Sequence, residues 1–428
     1  MYIKLLIIFL ITSYFVAKKT SSTGILKMSF WLCLAYSFLI LTHFFSGITY
    51  FYGDVSRIFP YFLLCLLLVV IGESLGAKIQ SRNAKVIFVK LTTLNIISIF
   101  GSLLLVFDMF RMNEINIGIR IVDRSISIIG VIGTLLSSLG IITWLISLFN
   151  NRIKGEKIPI LSYLSVLGFI LGGVLNAGRQ SILIISVATV ILFIWSSKKN
   201  KELKIVNNNY INKKKRSWGI FVLVALFLTY FFFISMVRSQ IFNFENKLNM
   251  YEGFYSAKIS KETMKQVYKV EPLSDIYIEV LFYYSHQLSR LDLFYQNYDY
   301  PPTFGLIQLP YIERRFQWLF GKQGEKSWEA EQLAVEHVGR FSSHTWGTFI
   351  TNFIADFGRL GALLACLIMG VLSGIFYRRS VIKANSLNVI RQVIICTGIV
   401  FSIQFSPFIE LAWAFPLFMS SFIKIENI

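Results

Sequence analysis

Histidine is scarce in this chain: four among 428 residues, and three of them, His286, His337 and His344, fall between residues 238 and 345. Imidazole exchanges a proton near neutral pH, so a segment that gathers histidines beside acids and guanidinium groups is a candidate for proton transfer. Within it, "SDIYIEVLFYYSHQLSRLDLFY" (274–295) reads as an amphipathic helix with too many charges to cross a bilayer. Glu279, Tyr283, His286 and Arg290 are spaced 4, 3 and 4, which lays them on one face, while Val280, Leu281, Leu288 and Leu291 lie towards the others. Such a face either is wetted surface or joins a proton carrier, an acid, a phenol and a guanidinium in one site.

A second constellation follows in "EHVGRFSSHTWGTFITNFIADFGRLG" (336–361). Arg340, His344, Thr348, Asn352 and Asp356 recur at i+4 and Arg359 follows at i+3, a polar stripe on a helix entering the membrane. A stripe of that kind faces a cavity or partner helices. Interhelical hydrogen bonding is its plainer reading. The "DFG" at 356–358 is no kinase signal, because no Gly-rich loop or catalytic-loop motif accompanies it.

Guanidinium groups also stand where the chain has little polar company. Arg179 lies in "NAGRQS" (176–181) between two long apolar runs, where Gly178 permits close backbone approach. It is either an arginine snorkelling at a helix end or a guanidinium in a partly dehydrated cavity, suited to bidentate binding of a phosphate group. Arg238, in "ISMVRSQ", ends the next-but-one helix and has the same two readings.

The elements that must position these residues follow from composition. With 55% hydrophobic and 16% aromatic residues and a mean hydropathy of +0.62, the chain is no ordinary soluble domain. Apolar stretches of about 18 to 25 residues cross a hydrocarbon core of about 30 Å as helices; their apolar residues run continuously instead of alternating, which argues against a barrel. The expected fold is all-α: a polytopic transmembrane bundle of about 11 spans, within a range of 10 to 12. They fall near 2–17, 28–46, 57–76, 86–108, 125–149, 158–176, 181–196, 218–237, 346–377, 388–406 and 408–424. Residues 1–17 carry one lysine and no A-x-A site, so an uncleaved first span is expected rather than a signal peptide. Cys33, Cys65, Cys366 and Cys396 lie in or at the end of apolar runs without metal-site or redox spacing, as packing residues do.

The net charge of +19 reads as topology rather than as affinity for nucleic acid, and no nucleic-acid partner is expected. Residues 198–216 hold eight Lys or Arg against Glu202 alone, which puts them in the cytoplasm by the positive-inside rule. Counting outward, 77–85, 150–157 and 378–385 also fall inside, each with a basic excess. Three regions result: N-terminal transmembrane helices in 1–237, a large outer loop in 238–345, and C-terminal transmembrane helices in 346–428. The loop holds 12 Lys or Arg and 13 of the 23 acids, chemistry that a mere connector does not need.

There is no Walker A, no G-x-G-x-x-G after a strand, no H-E-x-x-H and no tight carboxylate cluster, so neither a nucleotide cofactor nor a metal is expected. On the outer face of a membrane the natural activated sugar donor is a lipid carrier ending in pyrophosphate, a ligand suited to Arg179.

Taken together, the "NAGRQSIL" break, the arginine ending the next-but-one helix, the large late loop and "HTWGTFITNFIADFGRLGALLACLIMGVLSGIFY" resemble Wzy-type O-antigen and oligosaccharide repeat-unit polymerases. As a layout the resemblance covers most of the chain; sharp similarity is confined to about 45 residues at two places, and the lead-in "HTWGTF" departs from the commoner N-x-Y-T-like form. It implies a metal-independent bacterial inner-membrane glycosyltransferase of the GT-C type, with no cofactor. Its substrates would be undecaprenyl-pyrophosphate-linked oligosaccharides. Its partners would be membrane lipid and, in the same pathway, a flippase and a chain-length regulator. On that reading Arg179, Arg238, Arg290 and Arg340 hold pyrophosphate, and His344, His286 and Glu336, in that order, are candidates for the general base. Tyr283, Tyr284, Trp318 and Trp328 are of the type that stacks on sugar faces. An O-antigen ligase shares the donor and the face, and a flippase for lipid-linked oligosaccharide is the rival from another class. Against the flippase stand the large outer loop and the lack of two similar halves.

Overall fold

The structure is a computed structural model that describes residues 21–51, 53–80, 87–111, 127–175, 180–206, 248–249, 251–253, 255–270, 274–297, 302, 304–305, 347–382, 384–403, 408 and 411–425. The helices among them are α1 (Ser22–Ile25), α2 (Met28–Phe45), α3 (Val55–Gly76), α4 (Leu91–Arg111), α5 (Ile128–Ile153), α6 (Ile160–Leu175) and α7 (Gln180–Val206). They continue with α8 (Lys261–Lys269), α9 (Ser274–Ser285), α10 (Gln287–Asn297), α11 (Phe349–Ile382), α12 (Ser386–Phe401) and α13 (Leu411–Phe422). Six of them, α2, α3, α4, α5, α7 and α11, are long and apolar enough to cross a membrane, and α6 and α12 are shorter apolar helices. The chain is thus a mostly helical membrane protein. The expected spans at 2–17 and 218–237 lie outside the described residues; helices stand at each of the other expected positions.

Local signals set several helix starts. Asp54 accepts from Ser56 N at 2.9 Å at the head of α3, Ser127 from Ile129 N at 3.1 Å at the head of α5, and Asn385 from Asn388 N at 2.9 Å at the head of α12. α2 begins after Lys27, which makes no side-chain cap. Its cap comes from another helix: the buried Glu73 of α3 accepts from Met28 N at 2.6 Å and Ser29 N at 2.9 Å.

α3 and α11 meet backbone to backbone. A Cβ on Gly72, Gly76, Gly370 or Gly374 would fall onto main-chain atoms of Leu367, Val371, Val69 or Glu73 respectively. The two pairs, each spaced by four, are the small-residue pattern that lets membrane helices approach closely. Elsewhere hydroxyls bridge the helices: Ser98 donates to Ser137 O at 3.0 Å, Asn95 to Ser162 Oγ at 3.1 Å, and Thr143 and Ser165 lie 3.0 Å apart.

The helices share two ends. At one, Arg152 reaches Ser197 at 3.0 Å, Ser22 N donates to Glu202 at 2.6 Å, Arg378 donates to Lys78 O at 2.7 Å, and Arg391 bonds Ser420 O. There too β2 (Ile87–Val89) pairs in parallel with β4 (Ile423–Ile425). This end therefore collects the described parts of every basic segment noted above. At the opposite end, β1 (Ile48–Tyr50) pairs antiparallel with β3 (Ala257–Ile259), in register Ile48 with Ile259. The polar segment carrying α8, α9 and α10 lies there as a cap on the ends of α2, α3 and α11.

Candidate functional site

The single amphipathic helix expected over 274–295 is two helices, α9 and α10, interrupted at His286. Neither glycine nor proline causes the break. Ser285 Oγ donates to Leu281 O at 2.5 Å, His286 Nδ1 lies 2.8 Å from Phe282 O, and Gln287 Nε2 donates to Tyr283 O at 3.2 Å. Three consecutive side chains thus compete for carbonyls four residues back, a pattern that bends helices.

Half of the expected polar face is enclosed: His286 is fully buried and Arg290 is 5% exposed, whereas Glu279 and Tyr283 are partly exposed. Ser285, Gln287, Ser289 and Asp292 beside them are buried as well. Burying such groups is costly unless they are bonded, and for Asp292 a distant part of the chain supplies a bond. Asp292 Oδ2 accepts from Asp54 N at 2.7 Å, and both its oxygens accept from Gln296 Nε2 at 2.8 and 2.9 Å. Arg57 in turn donates to Gln296 Oε1 at 2.7 Å. Gly53, at φ +72°, allows the close approach, since a Cβ there would strike the backbone of Ser289. The first turn of α3 and the whole of α10 are therefore tied together.

His286 and Arg290 come together inside this cap with aromatic neighbours from two elements. The Tyr255 ring lies 4.7 Å from that of His286, and the Tyr283 ring 6.3 Å. Burial pushes the Tyr255 and Tyr283 phenols up, and the Arg290 charge offsets this only in part. Both hydroxyls are neutral at pH 7, available to donate rather than to take protons. Tyr50 is likewise raised by burial, against its hydrogen bond with Ser285. Exposed Asp54 goes the other way: its bonds to Ser56 hold the carboxyl below the usual range.

Along the second constellation, Thr348, Asn352 and Asp356 are buried, as a stripe facing partner helices must be. The stripe ends there. Gly358 has φ 72° and ψ 174°, a non-helical residue inside α11, so Arg359 does not continue the i+3, i+4 series. Instead Arg359 Nε donates to Tyr295 O at 2.6 Å and its NH2 group to Gln296 O at 3.2 Å, with the guanidinium over the Tyr295 ring at 5.2 Å. It therefore closes the carbonyl end of α10, where a cation is favoured. Asp356 accepts from Phe304 N through its carbonyl at 2.8 Å and from Gly305 N through Oδ1 at 3.1 Å, fixing a turn in which both residues have positive φ, 52° and 95°.

Arg179, Arg238, Glu336, Arg340 and His344 lie outside the described residues, as do Trp318 and Trp328. Residues passed over in the sequence also belong to the cap: His43, Tyr50, Asp54 and Tyr255. Their types gave little signal, since a single histidine in an apolar helix and a lone tyrosine in a short loop are ordinary packing groups. Among the described residues no three His, Cys, Asp or Glu side chains converge as metal ligands, and the cysteines are free thiols. Comparison with protein-family models, with curated proteins and with solved structures finds no match to this chain.

Proposed function

We propose that this protein polymerises lipid-linked oligosaccharide repeat units. It would transfer the growing glycan from undecaprenyl pyrophosphate to the non-reducing end of the next undecaprenyl-pyrophosphate-linked unit, at the outer face of a bacterial inner membrane. The observation that carries this reading is the polar cap, with His286 and Arg290 buried in it, at the end of the bundle opposite the basic segments. With the basic end in the cytoplasm, the cap faces outward, where lipid-linked oligosaccharides are joined.

In this reaction the acceptor hydroxyl attacks the anomeric carbon while pyrophosphate leaves with growing negative charge. Fixed guanidinium groups in a poorly solvated site stabilise that charge more in the transition state than in the ground state. Arg179, Arg238, Arg290 and Arg340 are the sequence candidates for that role, and the burial of Arg290 inside the cap supports it. His344 and Glu336 are the sequence candidates for the base; the enclosed His286 serves proton transfer only if the cap opens around it. The polysaccharide is an O-antigen or a capsule.

The test is deletion and complementation, running surface polysaccharide on a gel with wild type, Arg179→Ala and Arg179→Lys at matched membrane levels. The expected result is a ladder that collapses to a single anchored repeat unit on deletion and returns with wild type only. Long polymer retained on its lipid carrier would instead make the protein a ligase, and single units held on the inner face would make it a flippase.

A further inference from the structure

The last turn of α2 carries His43, the one histidine outside the late polar segment. Its Nδ1 lies 2.5 Å from the carbonyl oxygen of Ser285, at the break between α9 and α10. A carbonyl only accepts, so Nδ1 carries the hydrogen, and in the neutral ring Nε2 is left with its lone pair. The imidazole stacks on Tyr50 with centroids 6.0 Å apart and planes 14° apart, and Phe44 stands edge-on at 5.1 Å. Tyr50 and Ser285 hydroxyls lie 2.5 Å apart, and since Ser285 Oγ gives its own hydrogen to Leu281 O, Tyr50 is the donor. Ser285 thus fixes both rings, one through its carbonyl and one through its hydroxyl.

Among the described residues Nε2 makes no hydrogen bond, and the ring is half-buried where His286 is enclosed. The titratable and charged groups on the elements around this end of α2 include Tyr50, Asp54, Arg57, Glu252, Tyr255, Lys258, Lys261, Glu262, Glu279, Tyr283, Tyr284, His286, Arg290, Asp292, Tyr295, Asp356 and Arg359. Among the described residues none pairs with His43 as an ion pair.

We propose that His43 is the proton acceptor for the attacking sugar hydroxyl, an inference that rests on the glycan-transfer reading above. The hydroxyl oxygen bonds to the anomeric carbon, the bond from that carbon to the pyrophosphate oxygen breaks with its electron pair leaving on the pyrophosphate, and the hydroxyl proton moves to Nε2. Water then takes the proton from the imidazolium. As positive charge develops on the ring, its bond to the Ser285 carbonyl strengthens, and the carbonyl end of α2 favours the same charge.

His43→Asn separates this role from a structural one, because the asparagine amide can still donate to Ser285 O while the Nε2 lone pair is gone. In membrane vesicles supplied with lipid-linked repeat units extracted from the deletion strain, the wild type should extend the ladder and slow as pH falls through the imidazole titration. His43→Asn, at matched level, should be slower by about 10²-fold or more, with a residual rate flat in pH between about 5 and 8. His43→Gly, which removes the ring, should regain rate on addition of free imidazole. A His43→Asn enzyme within about threefold of wild type and with its pH profile, or a His43→Gly enzyme that imidazole does not rescue, would overturn the assignment. Failure of the wild type itself to lengthen glycan would sink the polymerase reading instead.

Discussion

At the residue scale, long-range ties rather than local helix propensity hold the cap. Arg359 makes two hydrogen bonds to carbonyls of α10 and stacks on Tyr295. Arg359→Lys keeps the charge but not the fork, and Arg359→Ala removes both. Losses of about 1 and about 2 kcal/mol respectively are expected in denaturant titrations of the detergent-solubilised protein. Glu73 gives a second case, since its carboxylate serves two main-chain N–H groups of α2. Glu73→Gln retains one acceptor and should cost about 1 kcal/mol, with Glu73→Ala costing about twice that. The buried phenols set a limit at alkaline pH. Tyr50, Tyr255 and Tyr283 keep their protons in the folded protein, whereas in the unfolded chain they ionise near pH 10. Stability is therefore untouched below about pH 10 and falls as pH rises from there towards the raised folded values. Melting temperatures measured between pH 8 and 11 should show that fall, and Tyr283→Phe should lessen it.

At the element scale, the crossing of α3 with α11 and the strand pair beneath the cap make separate predictions. Gly370→Ala forces a methyl group against the main chain of Val69, whereas Leu364→Ala trims a side chain that is 57% exposed on the same helix. The first should destabilise by about 1–3 kcal/mol and the second by less than about 1 kcal/mol, read from thermal unfolding in detergent. Thr49 and Lys258 are directly paired, exposed residues of β1 and β3. Opposed Cα atoms of an antiparallel pair lie within disulfide range, at about 4.5–5.5 Å. The double variant Thr49→Cys, Lys258→Cys should form an oxidant-dependent cross-link, whereas Thr49→Cys with Lys265→Cys should not. A cross-link equally strong in the control would mean that the strands are not in this register.

At the scale of the whole molecule, basic segments at one end and a polar cap at the other set up a simple test of orientation. Single cysteines at exposed Lys154 and Lys261, in a background with Cys33, Cys65, Cys366 and Cys396 replaced, probe the two ends. A membrane-impermeant maleimide applied to intact spheroplasts should label position 261 and spare 154 until the membrane is broken. The reverse pattern would turn the cap towards the cytoplasm and remove the basis for an outer-face reaction.

Legibility in the sequence divides along a physical line. Apolar length and charge are local quantities, so the positions of the described membrane helices and the clustering of basic segments could be read from runs of residues. Burial of a polar side chain is not local. Asp292 is enclosed because Asp54, 238 residues away, donates to it, and His43 meets Ser285 across 242. The break at His286 was hidden as well, because it arises from side chains taking main-chain carbonyls rather than from a glycine or proline that a reader would mark. Gly358 was visible as a residue, yet its backbone angles were not. The sequence by itself determined that this chain is a helical membrane protein with a basic side and a polar segment rich in histidine, acid and arginine, because hydropathy and charge act residue by residue. Only the tertiary structure decided that the polar segment folds back as a cap with Arg290 and Asp292 buried in it, because a partner such as Asp54 N for Asp292 is brought near by chain folding alone.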